Sequence, residues 1–266
     1  MTSKKKTGLV YHSDYLKHDT GLEHPERPDR LLACIQALQA SDFWADVFQI
    51  PPTPATVEQI CYAHTREYVD QVKQYVEGGT PLDYDTPVSA VSFDVALLST
   101  GGVLRAADAV IAGTVQNAFA LVRPPGHHAT ANRGMGFCLF NNVAVTTRYL
   151  QREHGIGKVA IVDWDVHHGN GTQDIFYDDP SVFFFSIHQS PLYPGSGRAS
   201  ETGTGKAVGT TLNAPMRPGS TASDYIDIFK KKLKPALLDF APDFVMVSAG
   251  FDAHYRDALA SIDMTA

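Results

Sequence analysis

Three ionisable side chains alternate within one short segment of the sequence. Asp163, Asp165 and His167 are spaced by two residues, so in extended backbone they point to the same side of the chain. Such groups repel or desolvate one another unless a cation lies among them. Asp252 follows a separate apolar run and would add a second carboxylate to Asp165 and His167. We therefore predict a divalent metal site with Asp165, His167 and Asp252 as its ligands.

The predicted site has the features of a catalytic centre. Three protein ligands leave a fourth coordination position open, which is typical of catalytic rather than structural zinc, and the oxygen-rich set also admits iron(II). The alternative interpretation is that Asp163 and Asp165 only cap a helix beginning near Gly171, with His167 as a hydrogen-bonded turn residue. Further histidines and Asp252 at the ends of other predicted strands favour the metal site.

Two adjacent histidines, His127 and His128, follow Pro124, Pro125 and Gly126. Proline and glycine adopt fixed or unusual backbone angles and can hold neighbouring imidazoles in a rigid loop. One imidazole near neutrality can take a proton from water and return it to a leaving amine. A second, charged imidazole can stabilise developing negative charge. The pair is therefore predicted to take part in acid–base catalysis.

The elements that position these residues are short apolar strands alternating with amphipathic helices. Each of four strands, predicted at 118–122, 159–162, 182–187 and 244–247, is followed within five residues by histidine or aspartate. This pattern indicates a parallel sheet covered on both faces, in which ligands bind beyond the carboxyl ends of the strands. We predict a single-domain α/β fold, three-layered (αβα) with a mostly parallel central sheet, over residues 8–266. Residues 1–7 are predicted to be a flexible basic tail.

The composition is that of a mildly acidic globular protein. Hydrophobic residues make up 44% of the chain, charged residues 19%, and the formal net charge is −7. Direct nucleic-acid binding is not expected, because it usually needs a basic excess, whereas a cationic partner would be compatible. No apolar stretch approaches the ~18 to 20 residues that cross a bilayer. Because the three cysteines form no paired motif, a cytoplasmic protein is expected.

Several long motifs closely resemble the histone deacetylase and acetylpolyamine amidohydrolase superfamily, which has the arginase/deacetylase fold. The matching segments are 24–30 (HPERPDR), 123–129 (RPPGHHA), 134–138 (GMGFC), 163–173 (DWDVHHGNGTQ) and 250–252 (GFD). The resemblance covers nearly the whole chain. The variants HHGNGTQ and SAGFD resemble the class II and bacterial branch.

The resemblance implies roles for the acid–base residues and zinc at the three predicted ligands. His128 would be the general base and acid, and His127 its electrostatic partner, hydrogen-bonded to Asp163. Asn170 stands where class I enzymes have an aspartate behind the general base. Asparagine keeps the hydrogen bond without the charge, which implies a less basic His128.

A substrate channel is implied as well. Phe137 and Tyr193 match the aromatic walls of an acyl-lysine tunnel lined by Gly136. Asp85 matches a rim carboxylate that holds the substrate backbone, and Arg30 matches an arginine beneath the metal on the route of acetate release. As alternatives, Phe137 could be a core residue and Asp85 only a turn former. Arg30 could be a solvated helix residue.

The resemblance further implies two structural potassium sites. Their residues are Asp163, Ser186 and the backbone of Asp165, His167 and Ile187 in the first, and Phe176, Asp179 and Val182 in the second. Leu259 lies where one polyamine-selective branch carries a gatekeeping glutamate, which favours acyl-lysine as substrate.

The expected reaction is zinc-dependent hydrolysis of an acetyl or other acyl amide on the Nε amine of lysine or a related aliphatic amine, using metal-activated water and a histidine base. One alternative is an acetylpolyamine amidohydrolase. Another is a metal-binding, non-catalytic module, because the sequence ends at Ala266, before a Gly-Gly-Tyr segment whose tyrosine helps to hold the oxyanion. The C-terminal part of the fold is accordingly expected to be missing. The oligomeric state is left open, a homo-oligomer included.

Overall fold

The computed structural model describes residues 6–265 and confirms an α/β fold with parallel sheets. The chain divides into two compact units, one up to Tyr149 and one from Leu150. Where the sequence favoured one central sheet, the backbone hydrogen bonds form a three-stranded sheet in the first unit and a four-stranded sheet in the second. Most of the predicted basic tail, residues 1–5, lies outside the described residues. Thr7, predicted to belong to that tail, is already part of the first strand.

The first unit is built on a small sheet in which β1 (Thr7–Val10) lies between β2 (Phe48–Ile50) and β3 (Asn117–Ala120). Its helices are α1 (Asp29–Gln39), α2 (Val57–Ile60), α3 (Arg66–Glu77) and α4 (Ser92–Ile111), with short 3₁₀ segments at Ser13–Lys17 and Trp44–Asp46. The next helix, α5 (Asn142–His154), contains the point at which the two units divide. The amphipathic pattern of α3 is representative, because its buried residues recur at helical spacing: Tyr68, Val69, Val72 and Val76.

The second unit contains β4 (Val159–Asp163), β5 (Val182–Gln189), β6 (Thr211–Met216) and β7 (Phe244–Ser248), in the order β6-β5-β4-β7. Its helical segments are α6 (Asn170–Phe176), a 3₁₀ turn at Gly205–Ala207, α7 (Ala222–Ile228), a π-helical turn at Phe229–Leu233 and α8 (Lys234–Phe240). The central strands β4 and β5 are buried at every position, which explains their near-continuous apolar sequence.

A row of polar residues crosses the second sheet near the carboxyl ends of its strands. Asp163 pairs with Ser186 on one side and with Ser248 on the other, and Ser186 pairs with Asn213. Residues in register on neighbouring parallel strands point to the same face, so the four side chains lie side by side. Because β4 and β7 are neighbours, the loops that follow them leave the sheet at the same edge.

Among residues 6–265, none of the helices combines the length and the apolarity that a membrane span requires.

Candidate metal and acid–base residues

The side chains of Asp165, His167 and Asp252 meet in the second unit. His167 Nδ1 lies 3.1 Å from Asp165 Oδ1 and 3.0 Å from Asp252 Oδ2. One ligand atom from each residue lies within 4.8 Å of the other two. Two of these residues follow β4 and the third follows β7, so the pairing of the two strands brings them together. The predicted convergence of the three side chains is confirmed.

Backbone amides hold the two carboxylates in place. Asp165 Oδ1 accepts from the amide of His167 at 2.8 Å, and Asp252 Oδ1 accepts from the amide of Val166 at 2.9 Å. Asp163 Oδ1 in turn accepts from the amide of Asp165 at 3.1 Å. These bonds orient the candidate ligands independently of any cation, which is the preorganisation that a metal site needs.

Gly250 allows the loop after β7 to approach the loop after β4. A Cβ atom at position 250 would lie 2.2 Å from Asp165 Oδ2 and 2.6 Å from Asp165 Cα. The second atom belongs to the backbone and cannot move aside without shifting the loop. Glycine at this position is therefore required for the observed approach.

Negative charge is concentrated around His167. Burial lowers the pKa of His167, but hydrogen bonds with Asp165 and Asp252 and the charges of both carboxylates outweigh it and raise the pKa to about 10. Burial and the charge of Asp165 raise the pKa of Asp252 above its ordinary value, against the opposing hydrogen bond from His167. The two carboxylates that face His167 Nδ1 account for the raised pKa of His167, whereas burial comes before the charge of Asp165 as the cause of the raised pKa of Asp252.

This donor set fits a divalent cation. Ligand atoms around a tetrahedral zinc ion with bonds of about 2.0 to 2.2 Å lie roughly 3.3 Å apart. The observed separations of 3.0 and 3.1 Å from Nδ1 to the two carboxylate oxygens are close to that spacing. The three side chains are 14–20% exposed, so the group also faces solvent. One nitrogen and two carboxylate oxygens suit zinc or iron(II).

Asp163 and Ser186, predicted as potassium ligands, are both fully buried and adjacent in the polar row. A Cβ atom at Gly169 would lie 2.2 Å from Asp163 Oδ2, so the turn into α6 closes tightly over this carboxylate. Ser186 Oγ lies 2.9 Å from His188 Nδ1, and His188 Nε2 lies 3.0 Å from the oxygen of Gly197. Burial lowers the pKa of His188 to about 4. The neutral ring therefore donates a hydrogen bond from Nε2 to the oxygen of Gly197 and accepts one at Nδ1 from the hydroxyl of Ser186.

Four buried or partly buried residues beside the polar row form a histidine network: His168, Gln173, His188 and Glu201. His168 Nε2 lies 3.0 Å from Gln173 Oε1, and Gln173 Nε2 donates to Glu201 Oε2 at 2.8 Å. The rings of His168 and His188 are 4.8 Å apart. Sequence reasoning missed this network. Its signal was the second histidine and the glutamine of the 163–173 motif, to which no role had been assigned.

The remaining implied residues of the second unit are dispersed. Phe176 O accepts from the amide of Asp179 at 3.1 Å, and Asp179 O accepts from the amide of Val182 at 3.3 Å, so these residues form a turn. The ring of Tyr193 stands edge-on to His167 at 6.3 Å, as an aromatic wall beside the ligand group would. Leu259 is exposed. Asn170 begins α6, and Ile187 lies within β5. Both potassium sites stay predictions.

The tandem histidines lie in the first unit. His127 and His128 are buried, and their rings are 3.9 Å apart. Gly126 makes the preceding turn, because a Cβ there would lie 2.6 Å from the amide nitrogen of Asn142 and 2.7 Å from the oxygen of Phe140. The loop before the histidines is thus closely packed against residues 140–142, and its rigidity stays a prediction. The catalytic roles of the two rings stay predictions.

The implied channel residues of the first unit are joined to one another. Gly136 lies against His128, since a Cβ at position 136 would be 2.3 Å from His128 Cδ2. The amide of Gly136 donates to Asp85 Oδ1 at 3.2 Å. The ring of Phe137 meets that of His24 edge-on, with ring centres 4.7 Å apart. Asp85 therefore does more than form a turn, because its carboxylate binds the segment that contains Phe137.

Arginine 30 differs from what the resemblance implied. It lies at the start of α1 with a side chain 55% exposed, and it pairs with Glu26 Oε1 at 3.0 Å. This is the environment of a solvated helix residue rather than of a buried channel residue. Arg123 is instead the fully buried arginine: it donates to the same Glu26 oxygen at 2.7 Å and to the backbone oxygens of Tyr15 and His18. It anchors the start of the histidine loop.

Comparison with known proteins is consistent with these features. The family described as "Histone deacetylase domain" matches residues 24–266. The chain is 42% identical to a "Probable deacetylase" of Archaeoglobus fulgidus, over 98% of this chain and 73% of that protein. It is 37% identical to a "Histone deacetylase-like amidohydrolase" of Pseudomonas aeruginosa, over 91% of this chain and 64% of the relative.

A solved structure agrees closely with the fold. The crystal structure of the HDA15 HD domain superposes with a TM-score of 0.93 at 39% sequence identity. The match covers 98% of this chain and 76% of that one.

Proposed function

We propose that this chain, which belongs to the histone deacetylase family, is a metal-dependent amidohydrolase that removes acetyl groups from aliphatic amines. The family and the names of the relatives support a deacetylase-type hydrolase. The observation that carries the proposal is the convergence of Asp165, His167 and Asp252 on one point. A deacetylase needs a group that activates water and polarises a carbonyl, and this donor set is suited to hold one.

We propose zinc as the ion, with iron(II) as the alternative, held by His167 Nδ1 and by carboxylate oxygens of Asp165 and Asp252. When bound, such an ion supplies Lewis-acid polarisation of the acetyl oxygen and a lower pKa of water. The amides of Val166 and His167 keep the carboxylate oxygens aimed at this point. We also propose potassium at the polar row, which the buried Asp163 supports.

For the tandem histidines we propose proton transfer. His128 would take a proton from the attacking water on a ring nitrogen and deliver it to the departing amine. His127, whose ring lies 3.9 Å from that of His128, would stabilise the developing negative charge. Their burial supports these roles, because electrostatic interactions are stronger away from water.

The proposed substrate is the acetylated Nε of lysine, with an acetylated polyamine as the alternative. An acetylated amine is uncharged, so an aromatic channel can accept its alkyl arm without desolvating a charge. Phe137 and Tyr193 would line this channel, and the edge-on stance of Tyr193 beside His167 supports it. We also propose a cytoplasmic location, which the free thiols of Cys34, Cys61 and Cys138 support.

The test uses purified chain, an acetyl-lysine peptide and acetylspermidine. We expect turnover that a chelator abolishes and zinc restores. Asp165→Asn is expected to lose bound zinc and activity together, because a carboxylate ligand becomes an amide. Faster turnover of the peptide would support acyl-lysine, and faster turnover of acetylspermidine would support the polyamine alternative.

The matched control is Asp227→Asn, which removes an equal charge from an exposed ion pair with Lys231 in the same unit. It should retain both zinc and turnover. Stoichiometric zinc in the Asp165→Asn protein would contradict the ligand assignment. Zinc binding by the unaltered chain without turnover of either substrate would favour a non-catalytic metal-binding module.

A further inference from the structure

The segment Gly136–Phe137 has an unusual backbone. Both residues have a positive φ, 56° for Gly136 and 69° for Phe137. Glycine adopts this left-handed region readily, but a phenylalanine does so only where its surroundings hold it there. Residues held in this way cluster at functional sites. The contacts that hold Phe137 are therefore of interest.

Two consecutive residues from a distant part of the sequence supply those contacts. The amide of Phe137 donates to Thr86 Oγ1 at 3.1 Å, and the amide of Gly136 donates to Asp85 Oδ1 at 3.2 Å. The Thr86 hydroxyl itself donates to Asp85 Oδ1 at 2.8 Å. The Thr86 hydroxyl thus accepts a hydrogen bond from the amide of Phe137 and donates one to the Asp85 carboxylate. That carboxylate also accepts a hydrogen bond from the amide of Gly136. Thr86 is only 1% exposed, so water does not compete for these bonds.

The side chain of Phe137 packs against His24. The two rings meet edge-on with centres 4.7 Å apart. His24 Nε2 lies 3.1 Å from the backbone oxygen of Asp85, a bond that requires a proton on Nε2. His24, whose ring packs on Phe137, is thereby hydrogen-bonded to the same loop, at Asp85, whose next residue Thr86 binds the Phe137 amide. Phe137 is held through its backbone and its ring at the same time.

We infer that Thr86 is a positioning residue, whose hydroxyl fixes Phe137 in the left-handed conformation and so sets the width of the acyl channel. This inference rests on the proposed function, in which Phe137 is one wall of that channel. The contact of Gly136 with His128 makes the position of the segment important for the histidine as well. Thr86 touches no reacting atom in this scheme and acts through Phe137.

The experiment compares Thr86→Val, which keeps the branched shape but lacks the hydroxyl, with Thr86→Ser, which keeps the hydroxyl. Hydrogen exchange of the Phe137 amide is expected to be about 10-fold faster in the valine variant and unchanged in the serine variant, because one buried hydrogen bond is lost. The ratio of kcat/KM for acetyl-lysine and butyryl-lysine peptides should shift roughly 10-fold with valine and stay constant with serine. A general loss of folded protein would lower both rates and leave their ratio unchanged.

Equal exchange of the Phe137 amide in the unaltered and valine proteins, or an unchanged acyl ratio, would overturn the inference. If valine at this position prevents folding, Thr86→Ala decides in its place, since alanine also lacks the hydroxyl. If the unaltered chain hydrolyses no acyl-lysine, the proposed function fails. The exchange comparison then still decides whether Thr86 positions Phe137.

Discussion

The ligand group of the second unit and the left-handed segment of the first are positioned by different means. Asp165 and Asp252 follow neighbouring strands, and the register of the sheet brings them together. Phe137 and Thr86 are 51 residues apart, and side-chain hydrogen bonds between loops join them. The first arrangement depends on many backbone bonds of a sheet, whereas the second depends on a few hydroxyl and carboxylate groups. We expect the two regions to respond to substitution separately.

The largest effect is expected from Gly250→Ala in the ligand group. The added Cβ would collide with the backbone of Asp165, so the two loops must separate and the three ligands with them. Zinc affinity should fall at least about 100-fold, the upper range for residues that orient ligands. Competition with a chromophoric chelator measures it.

The control for that variant is Gly157→Ala in the same unit, where the new Cβ would meet only the flexible carboxylate of Asp243 at 3.2 Å. It should bind zinc as the unaltered chain does. Unchanged affinity in Gly250→Ala would mean that the close approach of the two loops is not required.

The second-largest effect is expected from Gly136→Ala in the first unit. In Gly136→Ala the Cβ would lie 2.3 Å from His128 Cδ2, and alanine disfavours the positive φ of this position. Displacement of the His128 ring should lower kcat/KM about 100-fold, the scale of a lost acid–base catalyst. Steady-state kinetics with the acetyl-lysine peptide measures the fall, and zinc content should stay unchanged. Loss of zinc in this variant would show that the two regions do not respond separately.

The smallest effect is a pH dependence shared by both units. Burial lowers the pKa of His64 in the first unit and of His188 in the second to about 4. In the unfolded chain these rings titrate near pH 6.5. Between about pH 4 and 6.5 the unfolded chain therefore binds more protons than the folded chain. The free energy of unfolding should therefore fall as the pH falls through that window. Each histidine should contribute about 1 to 2 kcal/mol of this loss between pH 7 and 5.

Urea unfolding at the two pH values measures this loss. His64→Gln, whose side-chain oxygen can still accept from the amide of Asn141, should be less sensitive to pH than the unaltered chain. His188→Gln should show the same trend in the second unit. An unchanged pH dependence in either variant would contradict the assignment of a neutral buried ring.

The strand ends could be predicted because they depend on local pattern. The buried strands β4 and β5 begin with continuous apolar runs, at 159–162 and 182–185, and chemically capable residues come soon after the apolar runs of β4 and β7. Shorter or irregular elements could not be predicted. Strand β2 has three residues, and β6 contains Asn213 and Pro215, so neither shows a clear apolar pattern. The helical segment after β6 is also irregular, because a π-helical turn at Phe229–Leu233 separates α7 from α8.

Contacts between loops could not be predicted from the sequence, because they join residues that are far apart along the chain. Asp85 was identified by resemblance, but its bond to Gly136 and the role of Thr86 depend on tertiary structure. The burial of Arg30 and Arg123 could not be predicted from the sequence either. Burial statistics place arginine at the surface, and a fully buried Arg123 is favourable because the carboxylate of Glu26, the hydroxyl of Thr20 and several backbone oxygens accept its hydrogen bonds.

The polar row across β6, β5, β4 and β7 has a consequence for engineering. The pairing of the strands fixes Asp163, Ser186, Ser248 and Asn213 in one register, and the loops at the opposite, amino-terminal edge take no part in that alignment. Residues inserted between α5 and β4 should leave the ligand group unchanged. A single residue inserted within β7 would turn every later side chain of the strand to the other face and carry Asp252 away from its partners.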